Sequence, residues 1–324
     1  MNSNYIIEYI WLDSNNDFKS KIKIIDYQNL DDFKNEHLSY YDSSQKKEIT
    51  LKPIAKFINP FFSMHTSYLI LCVSSDVNDR DLAYETNIKY SSQNTLFGIK
   101  QEYFILDKVG NLPVNFKNTH IHLKDKHSFS SIGNYYRFAQ KHLLLCLNTG
   151  INILDVTNEE NGLWSFTIKP SNLVETSDHL VVARYILFRL CEEYKCIISF
   201  SPKEQIFPKC IVNISNDNTR SIDGINHINN AIYNLESYHN IKSPNEYYDV
   251  KKFGRYNEIE KYKFKTGFTN EAITMPNKNL GIFEDNRHAA YSNPYLLLSL
   301  LLQEINDKLK LIDSRVMSDV NYII

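Results

Sequence analysis

The sequence predicts an α+β fold in two domains, a small N-terminal β domain and a larger mixed domain. The chain has 324 residues, and about 150 residues per domain favours two domains. Short β-branched and aromatic runs dominate the first part, and helical periodicity enters only later. Strand patterns and helix patterns then follow one another without an internal repeat. A polar break near residue 80 gives predicted domains over 1–80 and 81–324.

The N-terminal domain is predicted from two strands and their hairpin. Residues 5–11 are β-branched and aromatic, which is typical of a strand, and residues 21–24 alternate as its hairpin partner. Residues 28–48 are polar and favour a loop. Residues 67–73 form another apolar strand pattern, and the polar residues 76–80 favour a boundary there or shortly after.

The second domain is predicted as antiparallel strands with helices. Ser177 and Asp178 offer a helix N-cap before an apolar stripe over 181–194. The predicted strands are 96–106, 151–156, 164–168, 196–200 and 210–214. The other predicted helices are 134–148, 225–238, 257–263 and 293–311.

Composition excludes several classes of function. The formal charge of −2 argues against a strongly basic nucleic-acid binder, and the longest apolar run, 295–302, is too short to span a membrane. Five cysteines without Cys-x-x-Cys spacing favour free thiols in a reducing compartment, so we expect a cytoplasmic protein. Only nine glycines are present, which disfavours an enzyme with glycine-rich phosphate loops.

Several motifs together resemble one family. They lie at 9–13 with 19–23, at 53–61, at 96–103 (Phe-Gly-x-Lys-x-Glu-Tyr), at 177–187 and at 283–287 (Phe-Glu-Asp-Asn-Arg). In this order they resemble eukaryotic-type glutamine synthetases. The resemblance implies an N-terminal β-grasp domain, a C-terminal glutamine-synthetase-like catalytic α/β domain, and rings whose sites lie between subunits. It also implies ATP, Mg or Mn, and ammonia displacing phosphate from γ-glutamyl phosphate.

The metal-binding motifs of the family are incomplete in this chain. Lys100 replaces the first glutamate of the strand motif, and Glu102 remains. Glu160 is retained in the next segment, whereas Ser165 follows Trp164 where a second metal carboxylate is expected. Ile211 stands in place of the metal histidine. The resemblance therefore implies a vestigial site without an intact catalytic set.

The substrate-binding motifs are incomplete as well. Glu284 and Arg287 remain in the last motif, but Asn286 replaces one of its two arginines. The loop 204–209 has no glycine, and the flap that closes on glutamate has no counterpart before 281–284. The aspartate that a neighbouring subunit supplies aligns loosely with Tyr41.

We predict that Lys100 is a metal surrogate whose ammonium pairs with Glu102 and Glu284. Those two glutamates are the remaining candidates for metal ligands, and no cofactor is expected. The alternative for Lys100 is a side chain turned to solvent.

Other candidate residues can also be explained without a ligand-binding role. Glu159 and Glu160 favour a charged loop, and Glu284 and Asp285 could cap a helical region with Arg287 as their partner. His120 and His122 favour a solvated loop over a metal site, since no Cys or Asp completes a ligand set nearby.

Three functions remain open. The first is a glutamine synthetase-like pseudoenzyme that serves assembly, regulation or binding, as a homo-oligomeric ring or in a mixed oligomer with an active glutamine synthetase. The second is an ATP-dependent amide ligase, joining glutamate and ammonia or another carboxylate and amine, with an altered metal site. The third is a small-molecule sensor that uses the vestigial pocket.

Overall fold

The computed structural model describes most of the chain, in ten segments. They are residues 4–26, 38–42, 45–62, 67–109, 135–159, 162–203, 206–241, 266–267, 273–275 and 281–307. Two β-sheets and a layer of helices make up these segments, which is the α+β class that the sequence predicts. In the described segments, every helix is too short or too polar to cross a lipid bilayer.

Five strands form the first sheet, in the order β2-β1-β5-β4-β3. They are β1 (Asn4–Leu12), β2 (Phe18–Asp26), β3 (Leu38–Asp42), β4 (Lys47–Ile58) and β5 (Ser67–Ser74). β1 and β5 are parallel neighbours at the centre, and the other pairs are antiparallel. The β-branched and aromatic residues of β1 pack into the core, where Ile7, Tyr9 and Ile10 are fully buried.

The second sheet has eight strands and carries the candidate site residues Lys100, Glu102, Ser165, Ile211 and Glu284. They are β6 (Leu96–Leu106), β7 (Ile153–Asn158), β8 (Leu163–Ser171), β9 (Ile197–Ser199), β10 (Cys210–Ser215), β11 (Thr266–Gly267), β12 (Ile273–Thr274) and β13 (Phe283–Asp285). The order is β11-β12-β13-β10-β6-β8-β7, and β9 pairs with the end of β6. β6 is central and antiparallel to β8, β9 and β10.

The helices bury one face of this second sheet. They are α1 (Asp79–Lys89), α2 (Tyr135–Thr149), α3 (Leu173–Tyr194), α4 (Gly224–Ile241) and α5 (Pro294–Asn306), with a 3-10 turn at Ser91–Gln93. α3 packs against β6, β8 and β9, and α5 packs against α1, α3 and α4. Arg184 of α3 bonds to Gln101 of β6, so odd-numbered residues near the middle of β6 point toward the helices.

Several predicted boundaries are wrong. α3 begins at Leu173, because Asn172 accepts the Glu175 N–H and caps the helix. Ser177 lies inside the helix, where its hydroxyl bonds to the Leu173 carbonyl at 2.9 Å. The predicted loop 28–48 contains β3 and the first residues of β4, and the predicted break 76–80 contains the start of α1.

The missed strands β3 and β4 carry many polar residues because both are partly exposed to solvent. β3 is the edge strand, and β4 alternates buried residues with exposed Lys and Glu along much of its length. The predicted helix 257–263 lies outside the described residues. The domain boundary after residue 80 stays a prediction.

Candidate functional site

Strand register brings four of the predicted site residues to one face of the second sheet. Lys100 on β6 lies opposite Ile211 on β10, and Glu102 lies opposite Ser165 on β8. Opposite residues in antiparallel strands share a face, and residues two apart on one strand share it as well. All four therefore point away from the helices.

Glu284 joins the same face from the other side of β10. It lies opposite Asn213 on β10 and opposite Thr274 on β12. Asn213 follows Ile211 by two residues, so it shares the face of Lys100. We call the set Lys100, Glu102, Ser165, Ile211 and Glu284 the site face.

The ammonium of Lys100 is paired with Glu159. Lys100 Nζ lies 2.5 Å from Glu159 Oε1, and the Ser165 hydroxyl donates to the same oxygen at 2.7 Å. The Glu159 side chain is 4% exposed and that of Lys100 is 26% exposed. The predicted ion pairs of Lys100 with Glu102 and Glu284 are wrong, because the ammonium is held by this other carboxylate.

Sequence reasoning missed Glu159, which was predicted to lie in a charged loop. Glu159 follows the end of β7, and its N–H still bonds to the Leu163 carbonyl of β8 at 2.8 Å. Thr157, two residues earlier, lies opposite Ser165. Strand alternation carried one step past β7 would have placed Glu159 on the site face.

Glu102 is a buried carboxylate bonded to backbone. Its Oε2 accepts the Lys209 N–H at 2.9 Å, and its own N–H bonds to the Lys209 carbonyl at 2.9 Å. Burial raises the pKa of the Glu102 carboxyl, and the nearby charge of Glu159 raises it further. The Lys209 N–H and the charges of Lys209 and Lys100 oppose that rise in pKa only in part.

Glu284 and Glu102 have different partners. Glu284 Oε2 accepts the Thr274 hydroxyl at 2.8 Å, and Thr274 Oγ1 accepts the Asn286 amide at 3.3 Å. Within the described segments Glu284 has no ion pair within 4.0 Å. Among the described residues, its carboxylate is therefore held by the neutral Thr274 hydroxyl.

Arg287 is not brought to the site face. Its Nε donates to Asp285 Oδ1 at 2.8 Å, and its Nη2 lies 2.5 Å from Asp285 Oδ2 and 3.9 Å from Glu304 of α5. Burial alone would raise the Asp285 pKa, but the charges of Arg287 and His288 hold that pKa well below its ordinary value. Arg287 is thus the partner of Asp285, so the alternative that made it the partner of both Glu284 and Asp285 holds for Asp285 only.

The remaining candidates are either outside the described residues or on the first sheet. Glu160, His120, His122 and residues 204–205 lie outside the described residues. Tyr41 on β3 is 66% exposed, and its role as an aspartate replacement stays a prediction.

The donors on the site face do not fit a pair of hard divalent cations. Mg²⁺ and Mn²⁺ require several oxygen ligands. Glu159 is engaged by the Lys100 ammonium, and Ile211 offers no donor atom. Among the residues that the structure describes, no three His, Cys, Asp or Glu side chains are grouped so as to hold a metal ion.

Comparison with known sequences finds glutamine synthetases. No protein-family model matches the chain. The glutamine synthetase of Neurospora crassa is 27% identical over 334 residues, covering 93% of this chain and 92% of that protein. The glutamine synthetase of Gallus gallus is 28% identical over 347 residues, covering 93% and 91%.

Solved structures agree on the fold. Apo GmaS without ligand superposes with a TM-score of 0.71 at 13% sequence identity, covering 92% of this chain and 76% of that chain. A GmaS/ADP complex gives a TM-score of 0.70 at 13% identity, covering 94% and 78%. The chain therefore has a glutamine synthetase-type fold, and its sequence is similar to glutamine synthetases over nearly its whole length.

Proposed function

We propose that this chain is a glutamine synthetase-like pseudoenzyme that has lost metal-dependent ligation of glutamate and ammonia. The observation that carries the proposal is the buried contact of Lys100 with Glu159, reinforced by Ser165. The chain places a positive side chain on the face where the family resemblance implies metal ligands. Its remaining role is assembly, regulation or binding.

The physical reason is electrostatic. A lysine ammonium within 2.5 Å of Glu159 neutralises that carboxylate and repels a divalent cation approaching it. Glu102 also favours its protonated form, because burial raises its pKa. Glu284, which makes no ion pair within 4.0 Å in the described segments, is the remaining carboxylate, and one carboxylate is a poor site for a hard cation.

A turnover assay tests the proposal. The full chain is mixed with ATP, glutamate, ammonia and Mg²⁺ or Mn²⁺, and both phosphate release and glutamine formation are measured. We expect no turnover above the blank, with an active glutamine synthetase as positive control. Ammonia-dependent formation of glutamine that Lys100→Met or Glu284→Gln abolishes would contradict the proposal.

The second candidate function is an ATP-dependent amide ligase with an altered metal site, acting on glutamate or on another carboxylate. Two observations favour it. Glu102, Glu159 and Glu284 still lie on or beside the same face, and the GmaS/ADP complex shares the fold. A rise of several degrees in Tm with ATP and Mg²⁺ would support this ligase over the pseudoenzyme.

The assembly belongs to the same proposal. We propose a cytoplasmic ring, either of this chain alone or mixed with an active glutamine synthetase, with the first sheet as its β-grasp domain. Light scattering of the chain, alone and after co-expression with an active synthetase, measures the assembly. A monomer under both conditions would contradict this part.

A further inference from the structure

A cavity lies on the helix side of the β6 sheet, away from the site face. Its volume is about 230 Å³, and it opens between the β1–β2 hairpin and α3. The residues that matter for its chemistry are Leu12, Asp17, Phe18, Arg184, Phe188 and Phe200. Arg184 bonds to Gln101, whose side chain points away from Lys100 and Glu102, so the sheet separates the two regions.

The inner wall of this cavity carries a buried charge without a carboxylate partner. Arg184 Nε and Nη2 donate to Gln101 Oε1 at 2.9 and 2.5 Å. Nη1 and Nη2 donate to the carbonyls of Ser292 and Ala290 at 2.9 and 2.8 Å. Every one of these acceptors is neutral. Within the described part of the chain no carboxylate lies within 4.0 Å of the guanidinium.

That wall favours an anionic group. Arg184 is 7% exposed, and burial lowers its pKa to about 10, which reflects the cost of holding the charge away from water. A guanidinium has five N–H donors; four make the bonds above, and the Cys210 thiol is a further side-chain hydrogen-bond partner. A ligand carboxylate near this group would supply the negative charge that the described residues do not.

The mouth of the cavity has the opposite charge, and its sides are aromatic. Asp17 is exposed there, and its carboxylate makes no ion pair with another described residue. The Phe188 ring lies 5.7 Å from both the Phe18 and the Phe200 ring centroids. A ligand that fits must therefore present a negative group inside, a positive group at the mouth and an apolar part to the rings.

We propose that this cavity binds one α-amino acid with an apolar side chain. Its carboxylate faces Arg184, its ammonium faces Asp17, and its side chain packs on Phe188 and Phe200. The cavity is smaller than the roughly 300–1,000 Å³ of sites for drug-sized ligands, which limits the ligand to a small molecule. The proposal does not depend on the loss of ligase activity, because it concerns the other side of the sheet.

Calorimetric titration of the full chain tests the ligand chemistry. The probes are L-leucine, 4-methylpentanoate, which lacks the amino group, and 3-methylbutylamine, which lacks the carboxylate. We expect L-leucine to bind and each one-charge analogue to bind at least about tenfold more weakly. Failure of both L-leucine and L-phenylalanine to bind at about 10 mM would overturn the proposal.

Variants test the location. Asp17→Asn should weaken L-leucine at least about tenfold and leave 4-methylpentanoate unchanged, and Phe188→Trp should fill the cavity and abolish binding. Asp81→Asn, an exposed change on α1 away from the cavity, is the matched control and should have no effect. Binding of L-leucine that survives both cavity variants, or that is lost in Glu284→Gln on the site face, would overturn the proposal.

Discussion

Individual side chains on the site face are held by contacts with neighbouring groups of the chain. Lys100 and Ser165 both contact Glu159, Lys209 N–H contacts Glu102, and Thr274 contacts Glu284. The positions of Lys100, Glu102 and Ile211 on one face follow from strand alternation, which sequence alone provides. The pairing of Lys100 with Glu159 does not follow from alternation within β6, because it depends on where another strand, β7, ends.

Removing the ammonium should destabilise the chain. Lys100→Met removes the charge that Lys100 supplies to the buried Glu159 carboxylate, which we expect to cost about 1–3 kcal/mol in the free energy of unfolding. Lys100→Met combined with Glu159→Gln should recover most of the loss. Unfolding in urea measures both changes.

The matched control is Lys169→Met, an exposed lysine on β8 of the same sheet. It should change the free energy of unfolding by less than about 0.5 kcal/mol. Equal effects of Lys100→Met and Lys169→Met would mean that the contact with Glu159 contributes nothing.

Glu102 should make stability depend on pH. Its pKa is raised in the folded chain, so the folded state keeps the proton at pH values where the unfolded chain has lost it. Its contribution is full below the ordinary value of 4.5 and is lost as the pH rises through the folded pKa. We expect Glu102→Gln to be more stable than the parent near about pH 7.5 and equal to it near about pH 4.

Urea unfolding across that pH range measures this difference. Glu85→Gln, an exposed change on α1, serves as the control and should follow the parent at every pH. A difference between Glu102→Gln and the parent that grows toward acid pH would contradict a raised pKa.

Among the elements, those with strong apolar patterns follow the sequence closely. β1, β5, β6 and α2 lie within a few residues of the predicted bounds. β3, β4 and α1 were missed because they are polar, and α1 buries only Ala83 and Thr86 of its own residues. The start of α3 was misplaced because Ser177 and Asp178 have typical capping side chains, yet each bonds elsewhere.

The cap of α3 can be tested by two substitutions. Asn172→Ala removes the side chain that accepts the Glu175 N–H, and we expect a loss of about 1 kcal/mol in the free energy of unfolding. Ser177→Ala should cost less than about 0.5 kcal/mol, because its hydroxyl only adds a bond to a carbonyl within the helix. Thermal unfolding of both variants measures the difference, and a larger loss for Ser177→Ala would contradict the assigned cap.

At the scale of the whole molecule, the chain has a glutamine synthetase-type fold, and the change that we propose concerns the chemistry of its site face. The positions of the glycines show the same contrast between the fold and the site. Gly281 has a φ of +65°, and a Cβ there would lie 2.4 Å from the Thr219 carbonyl oxygen, so glycine is required for packing. Gly98 on β6 lies against Pro170 of β8. The loop 204–209, where the family resemblance implies glycines near substrate, has none.

The overall fold and its two sheets could be predicted because the scaffold motifs keep their order along the chain. The site could be predicted only as a set of strand positions. Arg287 illustrates the limit, since its sequence motif matches a site residue while its guanidinium is buried against Asp285. The pairing of Arg287 with Asp285 is a contact in the folded chain, and the sequence motif alone does not distinguish it from a role in the site.

The proposed loss of the metal site is tested most directly by titrating Mn²⁺ into the full chain and measuring free Mn²⁺ by electron paramagnetic resonance. Lys100→Glu combined with Ile211→His returns a carboxylate and an imidazole to the site face and is the positive control. We expect no saturable binding by the parent chain up to about 1 mM Mn²⁺, and binding by the double variant. One or two Mn²⁺ ions bound per parent chain, and lost in Glu102→Gln or Glu284→Gln, would contradict the loss of the metal site.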